Sequence, residues 1–266
     1  MQIDKNSCLE VLNEFGIIPS KDKGQNYLTN PNTAKRIADS LTINDEDKVL
    51  EIGPGIGSLT HFLTERSNSL TVVDVDEQSC KVLKDLYPEV DVINQDALKM
   101  NFHSYQRIIS NVPYSITSDL IESILLKSKN LKQCVFMVQE DAYKRIVSLK
   151  GKDYGPLSVL ISLKGKTKTL FKVGSNDFYP RPKCVSIVFK IDISPESLID
   201  EKGYKIIKTL FTNRRKTLLN NLLLLMNKDK AASLLSELKL PITVRPEEVS
   251  PETYYKLVSL SRVKGQ

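Results

Sequence analysis

Asn111, Pro113 and Tyr114 stand close together in the stretch Ile109-Ser110-Asn111-Val112-Pro113-Tyr114-Ser115-Ile116-Thr117, and between them they offer what a primary exocyclic amine requires. The side-chain oxygen of Asn111 and a backbone carbonyl fixed by the neighbouring Pro113 can accept the two amine protons. The ring of Tyr114 can stack on the base that carries the amine. An adenine N6 is a poor nucleophile, because its lone pair is delocalised into the ring, and acceptors that favour a more tetrahedral nitrogen help it attack. The base has to be lifted out of its stack, held flat and aimed in line with the bond being broken, here a methyl–sulfur bond. The proton can leave to water afterwards, so this chemistry needs no histidine base. That suits a chain whose two histidines, His61 inside a helical stretch and His103 in a polar loop, read as surface or packing residues. An isolated tyrosine is more often a core aromatic, so the reading of Tyr114 rests on its neighbours.

A second group of residues speaks for a nucleotide-type ligand. Val49-Leu50-Glu51-Ile52-Gly53-Pro54-Gly55-Ile56-Gly57 reads as a buried strand that runs into a glycine turn and then a helix beginning near Ser58. Ligands of open parallel sheets bind at the carboxyl ends of the strands, and glycine there lets a ligand approach the backbone without a Cβ in the way. The same device serves NAD, FAD and S-adenosylmethionine. Asp74 ends the next strand 21 residues beyond Gly53, where a carboxylate can accept from both hydroxyls of a ribose. Asp96, just past the third strand, is placed to accept from an adenine amine. Each aspartate alone could equally cap a helix or a loop; their progression along successive strand ends favours one shared ligand. Asp76 is held in reserve for the ribose, with capping of the following helix as its expected role.

These residues need a scaffold, and short apolar segments alternating with helical or loop stretches supply one: a parallel sheet covered by helices on both faces. Strands are expected at 48–52, 70–74, 90–94, 107–110 and 133–138. Helices are expected to start at Pro31, with Ala34, Ile37, Ala38 and Leu41 on one face, and to follow Gly57, Asp76, Thr117 and Gln139. Beyond Gly165, the runs Leu170-Phe171-Lys172-Val173 and Val185 to Ile191 read as an antiparallel pair added to the sheet edge. From Ser194 onward the pattern is helical, over 204–210, 216–226, 231–238 and 251–260. A domain of residues 1–192 followed by a small all-helical domain of 193–266 is the expected organisation.

The bulk properties set limits. Two domains fit 266 residues, and 41% hydrophobic with 26% charged residues is ordinary for a globular protein. Cys8, Cys80, Cys134 and Cys184 lie far apart without a Cys-x-x-Cys pair, which predicts buried reduced thiols and no metal site. The longest apolar run, Leu222 to Met226, is too short for a membrane span, and no apolar run follows the first residues, so a cytoplasmic protein is expected. A net charge of +6 is mild, but its distribution is uneven. Lys144, Arg145, Lys150, Lys152, Lys164, Lys166, Lys168, Lys172, Arg181 and Lys183 face only Asp153 and Asp177 in that stretch, and Arg214-Arg215-Lys216 follows. Such density could neutralise phosphates, although a solvated lysine face would look the same.

Asn111-Val112-Pro113-Tyr114 resembles the Asn-hydrophobic-Pro-Tyr signature of amino-methyltransferases, and nearly the whole chain is similar to the ribosomal RNA adenine N6,N6-dimethyltransferases. Gly24-Gln25-Asn26-Tyr27-Leu28, Glu51 to Gly57, Phe136-Met137-Val138-Gln139-Glu140 and Phe178-Tyr179-Pro180-Arg181-Pro182-Lys183-Cys184-Val185-Ser186 resemble that family's segments in the same order, with Glu140 and Cys184 standing where the family has Lys and Val. The resemblance implies an α/β, Rossmann-like, S-adenosylmethionine-dependent methyltransferase sheet with a C-terminal helical RNA-recognition domain. It implies cofactor contacts from Gln25, Asn26, Leu28, Glu51, Gly53, Gly55, Asp74, Val75, Asp96, Ala97 and Asn111. Asn111, Pro113, Tyr114 and Phe178 become the catalytic set, with Phe178 forming the second face of a sandwich around the flipped adenine. Lys144, Arg145, Arg181, Lys183, Arg214, Arg215 and Lys216 become candidates for RNA contact.

Two branches of that family differ in target. Gly53-Pro54-Gly55, Tyr154-Gly155-Pro156-Leu157-Ser158 and Phe211 to Leu218 look like the KsgA-type branch, which dimethylates two adjacent adenines in the 3′-terminal hairpin loop of 16S rRNA. Ser115 stands where the family usually has Asn or Tyr, and Thr117-Ser118-Asp119 is closer to the Erm-like branch, which acts on 23S rRNA. The resemblance therefore implies a monomeric enzyme acting on small-subunit rRNA or the immature small ribosomal subunit. Its rivals are an Erm-like enzyme and a non-catalytic RNA-binding assembly factor that kept the fold.

Overall fold

A computed structural model describes residues 1–20, 25–195 and 199–263. Gly24, from the Gly-Gln-Asn-Tyr-Leu segment, lies outside the described residues. The chain forms two compact units, 1–142 with 167–193, and 143–166 with 194–266. The helical unit thus takes in the segment from Tyr143 to Lys166 as well as the residues after Ile193, whereas the expected division was a single cut near 192.

The first unit holds strands β1 (Tyr27–Leu28), β2 (Val49–Ile52), β3 (Leu70–Asp74), β4 (Asp91–Asn94), β5 (Arg107–Asn111), β6 (Gln133–Gln139), β7 (Gly165–Val173), β8 (Phe178–Tyr179) and β9 (Ser186–Ile193). Seven of them form one sheet in the order β4-β3-β2-β5-β6-β9-β7, in which β4 to β6 are mutually parallel and β9 is antiparallel to β6. β2 and β5 are buried along almost their whole length, which is why neither alternates apolar with polar residues as a half-exposed strand would. Flanking helices are α1 (Lys5–Glu14), α2 (Pro31–Asp39), α3 (Thr60–Thr64), α4 (Glu77–Leu86), α5 (Thr117–Lys127) and the start of α6 (Glu140–Val147). α2 begins where its sequence says it should: Asn30 caps it by accepting from Asn32 N and Thr33 N, Pro31 fills the first turn, and Ala34, Ile37 and Ala38 are buried.

The order of strands fixes the place of the site. From β2 the chain moves outward through β3 to β4, and from β5 it moves the other way, so a crevice opens at the carboxyl ends of β2 and β5. Register aligns Ile52 with Ser110, and the Ser110 hydroxyl donates to Ile52 O at 2.7 Å. Gly53, just past the end of β2, and Asn111, the last residue of β5, are therefore neighbours.

The second unit contains α7 (Pro156–Lys164), α8 (Glu201–Leu210), α9 (Leu218–Leu222), α10 (Lys228–Glu237) and α11 (Pro251–Val263). Its centre is aromatic: the Phe211 ring lies 5.7 Å from that of Tyr154 and 5.3 Å from that of Tyr254. Both tyrosine hydroxyls donate to backbone carbonyls, Tyr154 to Val249 and Tyr254 to Pro246, so neither is buried unpaired. The four cysteines are free thiols, three of them buried. No helix among the described residues is long and apolar enough to cross a membrane.

Candidate active site

The crevice is a cleft whose walls come from the Gln25–Leu28 segment, the glycine turn, the β3 end and Asn111 to Tyr114. The turn has to be glycine at Gly53, where φ is +68° and the Asn111 carbonyl oxygen lies 3.7 Å from the position a Cβ would occupy. A side chain there would be strained and would fill the space between the two motifs. Gly57 serves differently. Its φ is +93°, and a Cβ would sit 2.6 Å from Cε2 of Tyr87, so this residue lets the turn pack down on α4.

Three carboxylates surround the turn. Glu51 is 1% exposed, its Oε2 accepts from the Thr60 hydroxyl at 2.7 Å, and burial, reinforced by the nearby Asp74 charge, pushes its carboxyl up to about 8. Asp74 accepts from Asp76 N at 2.9 Å and from Gly55 N at 3.4 Å; burial raises its pKa against those two bonds. Asp76 occupies the N-cap position of α4 but makes no capping bond. Its Oδ2 instead accepts from Gln25 Nε2 at 3.2 Å and Ser79 Oγ at 3.1 Å, and its side chain lines the cleft. Val75 lies beside them, an apolar residue 67% exposed.

Gln25, Asn26, Leu28, Glu51, Gly53, Gly55, Asp74, Val75, Asn111, Pro113 and Tyr114 thus come together around one opening. Burial pushes the Tyr114 hydroxyl up, and the Ser186 hydroxyl bonds it in opposition. Asp96, Ala97 and Phe178 are not among the cleft-lining residues. Asp96 accepts from Leu98 N at 3.0 Å and caps a short turn, and Ala97 is buried. Phe178 is 5% exposed in an apolar cluster with Leu28, Val173 and Val188, because β8 pairs with β1 and sets it opposite Leu28. Tyr27 and Ser58 line the cleft without having been singled out. Tyr27 was visible only as the aromatic of its segment, and its ring sits 3.1 Å from where a Gly55 Cβ would be. The Ser58 hydroxyl holds Leu28 O at 2.6 Å.

The basic residues divide between the units. Arg181 and Lys183 are exposed on the first, and Lys144, Arg145, Arg215 and Lys216 on the second. Lys164 is 7% exposed and its pKa is lowered by burial, so it is not part of a solvated face. Arg214 is engaged within its own unit, donating to Tyr154 O at 2.7 Å and Gly151 O at 3.3 Å.

Comparison with known proteins places the chain in a family. Residues 20–262 match the model of the family described as ribosomal RNA adenine dimethylase. Ribosomal RNA small subunit methyltransferase A of Malacoplasma penetrans (strain HF-2) is 36% identical over 262 residues, covering 96% of both chains. Among solved structures, a dimethyladenosine transferase from Plasmodium falciparum superposes with a TM-score of 0.78 at 25% identity, covering 90% of this chain and 98% of its own. The 23S rRNA methyltransferase ErmE has the same fold, with a TM-score of 0.67 at 21% identity over 88% of this chain and 98% of its own. On the family match along almost its whole length and a relative above 30% identity, this chain belongs to the ribosomal RNA adenine dimethylase family.

Proposed function

We propose that the cleft binds S-adenosylmethionine and that the protein dimethylates adenine N6 in small-subunit ribosomal RNA. The observation that carries this is the adjacency of Gly53 and Asn111, which puts a nucleotide-type turn and an amine-gripping motif in one opening. The cofactor supplies an electrophilic methyl carbon on a sulfonium. The residues fit it: Gly53 leaves room at the backbone, Asp74 presents a carboxylate to the ribose, and Val75 offers an exposed apolar surface to a flat base. Gln25, Asn26 and Leu28 line the same opening, and Glu51 is buried under the turn. Asp96, which spends one oxygen on Leu98 N, reads the adenine amine with the other, next to Ala97.

On the target side, the Asn111 side-chain oxygen and the carbonyl beside Pro113 accept the two N6 protons and hold the lone pair toward the methyl carbon. Tyr114 stacks on one face of the base and Phe178 on the other. The departing proton goes to water. Phosphate contacts fall to Lys144, Arg145, Arg181, Lys183, Arg215 and Lys216. Arg214 contributes mainly by tying the segment that carries Arg215 and Lys216 to Gly151 O and Tyr154 O. The enzyme works as a monomer in the cytoplasm on rRNA or on the immature small subunit.

The test is methyl transfer from labelled cofactor to undermethylated small ribosomal subunits, followed by mapping of dimethyladenosine. Wild type labels adenine, and Asn111→Ala lowers the rate by about 10²–10³. RNA binding without transfer by wild type, or equal transfer by the variant, would overturn the assignment.

A further inference from the structure

β1 and β8 stand apart from the seven-stranded sheet as a two-stranded ribbon, with Tyr27 opposite Tyr179 and Leu28 opposite Phe178. One strand of the ribbon faces the cofactor side of the cleft: Tyr27 and Leu28 line it, the Tyr27 ring covers Gly55, and Leu28 O accepts from Ser58. The other strand carries Phe178, the ring assigned to the target base. That ring is packed in the apolar cluster rather than on the cleft wall, so the base-receiving side presents Tyr114 without its partner.

One residue holds the two strands and α2 together. Asp177 O accepts from Thr29 N at 2.7 Å and from Thr29 Oγ1 at 3.3 Å. Its carboxylate accepts from Asn30 Nδ2 at 3.0 Å through one oxygen and from Thr33 Oγ1 at 2.8 Å through the other. Asn30 meanwhile uses its own oxygen to cap α2. A carboxylate there also lies at the positive end of that helix. The segments joined are about 150 residues apart in sequence, and Asp177 adds to the pairing of β1 with β8 a tie to the start of α2.

We propose that the ribbon couples the two halves of the cleft, so that filling the cofactor side shifts β1, and through it β8 and Phe178, into the arrangement that receives the base. Asp177 is the positioning residue for this coupling. The inference rests on the assignment of the cleft made above. Cofactor and RNA then bind with positive cooperativity, each raising the affinity for the other by the same factor.

The experiment measures the dissociation constant of S-adenosylhomocysteine, an unreactive stand-in, with and without undermethylated small ribosomal subunits. It is run for wild type, Asp177→Ala and the milder Thr33→Val, which deletes one of the donors. Wild type is expected to bind the stand-in at least about fivefold more tightly when the subunit is present. Asp177→Ala should bring that factor below about twofold, and Thr33→Val should fall between, while affinity without RNA stays within about threefold and reports intact folding. Tight binding by wild type with a factor of one, or a factor unchanged in Asp177→Ala, overturns the coupling alone. No binding of the stand-in by wild type overturns the cofactor assignment as well.

Discussion

Glu51→Gln should make the cofactor-free protein more stable at neutral pH, although it removes a residue from the active site. The side chain is 1% exposed, and burial raises its carboxyl from 4.5 to about 8. Below pH 4.5 both folded and unfolded chains hold the proton, so the group adds no pH dependence. Between 4.5 and about 8 only the unfolded chain releases it, and stability falls as pH rises. Above about 8 the folded carboxyl ionises as well, and the loss levels off. At pH 7 the mismatch spans about 2.5 pH units, which at about 1.4 kcal/mol each is about 3.5 kcal/mol of stability withheld as an upper bound. Glutamine is nearly isosteric and its oxygen can still accept from Thr60, so the variant keeps the bond and loses the proton mismatch. Urea unfolding of both proteins from pH 5 to 8.5 reads the difference. Wild type should lose stability across that window, whereas the variant should be flatter and about 1–3 kcal/mol more stable at pH 7. Asp74, also raised by burial, acts in the same direction in both proteins. Parallel slopes in the two proteins, or a variant that is less stable at pH 8, would refute the reasoning.

Gly57→Ala should destabilise the fold by about 2–4 kcal/mol in the same assay, combining a left-handed backbone with a Cβ driven into Tyr87. In a Tyr87→Leu background the cost should fall to about 1 kcal/mol, the backbone share; an equal cost in both would remove the steric explanation. The three cations of Arg214-Arg215-Lys216 should separate by salt titration of RNA binding. Arg215→Ala and Lys216→Ala should each lower the slope of log affinity against log salt by about 1. Arg214→Ala should leave the slope near wild type and lower the melting temperature, since its guanidinium is spent on Tyr154 O and Gly151 O.

What could be seen in advance followed the physics of each element. β2, β3, β5, β6 and β9 carry runs of apolar, often β-branched residues that are largely buried, and β4 shows through Val92 and Ile93 although it is only half-buried, so their existence was readable, and their ends agree with the structure within about two residues. α7 was not anticipated, because Pro156 to Lys164 is apolar all round and gives no 3.6-residue stripe to read. α1 buries only Cys8, Val11 and Leu12, too narrow a face to stand out. β1 and β8 have two residues each, below any periodicity. In the cleft, Gly53, Asp74 and Asn111 were legible because backbone turns and strand ends announce themselves. Phe178 was assigned a role but not a place, because strand pairing with Leu28, which the residues between do not reveal, decides where its ring lies. Asp76 was expected to cap α4; Gln25, distant in sequence, draws it into the cleft instead.

The position of β9 has a consequence for biosynthesis. It lies between β6 and β7, yet it is made after both. Until residue 193 has been synthesised, β6 keeps an open edge of unpaired amides and carbonyls, and β7 has no neighbour to join. A nascent or truncated chain ending before Ser186 therefore exposes an apolar β6, Gln133-Cys134-Val135-Phe136-Met137-Val138-Gln139, as a template for any other extended chain. Chaperone capture and aggregation should concentrate on translation products that stop short of that strand, and should drop once it is added.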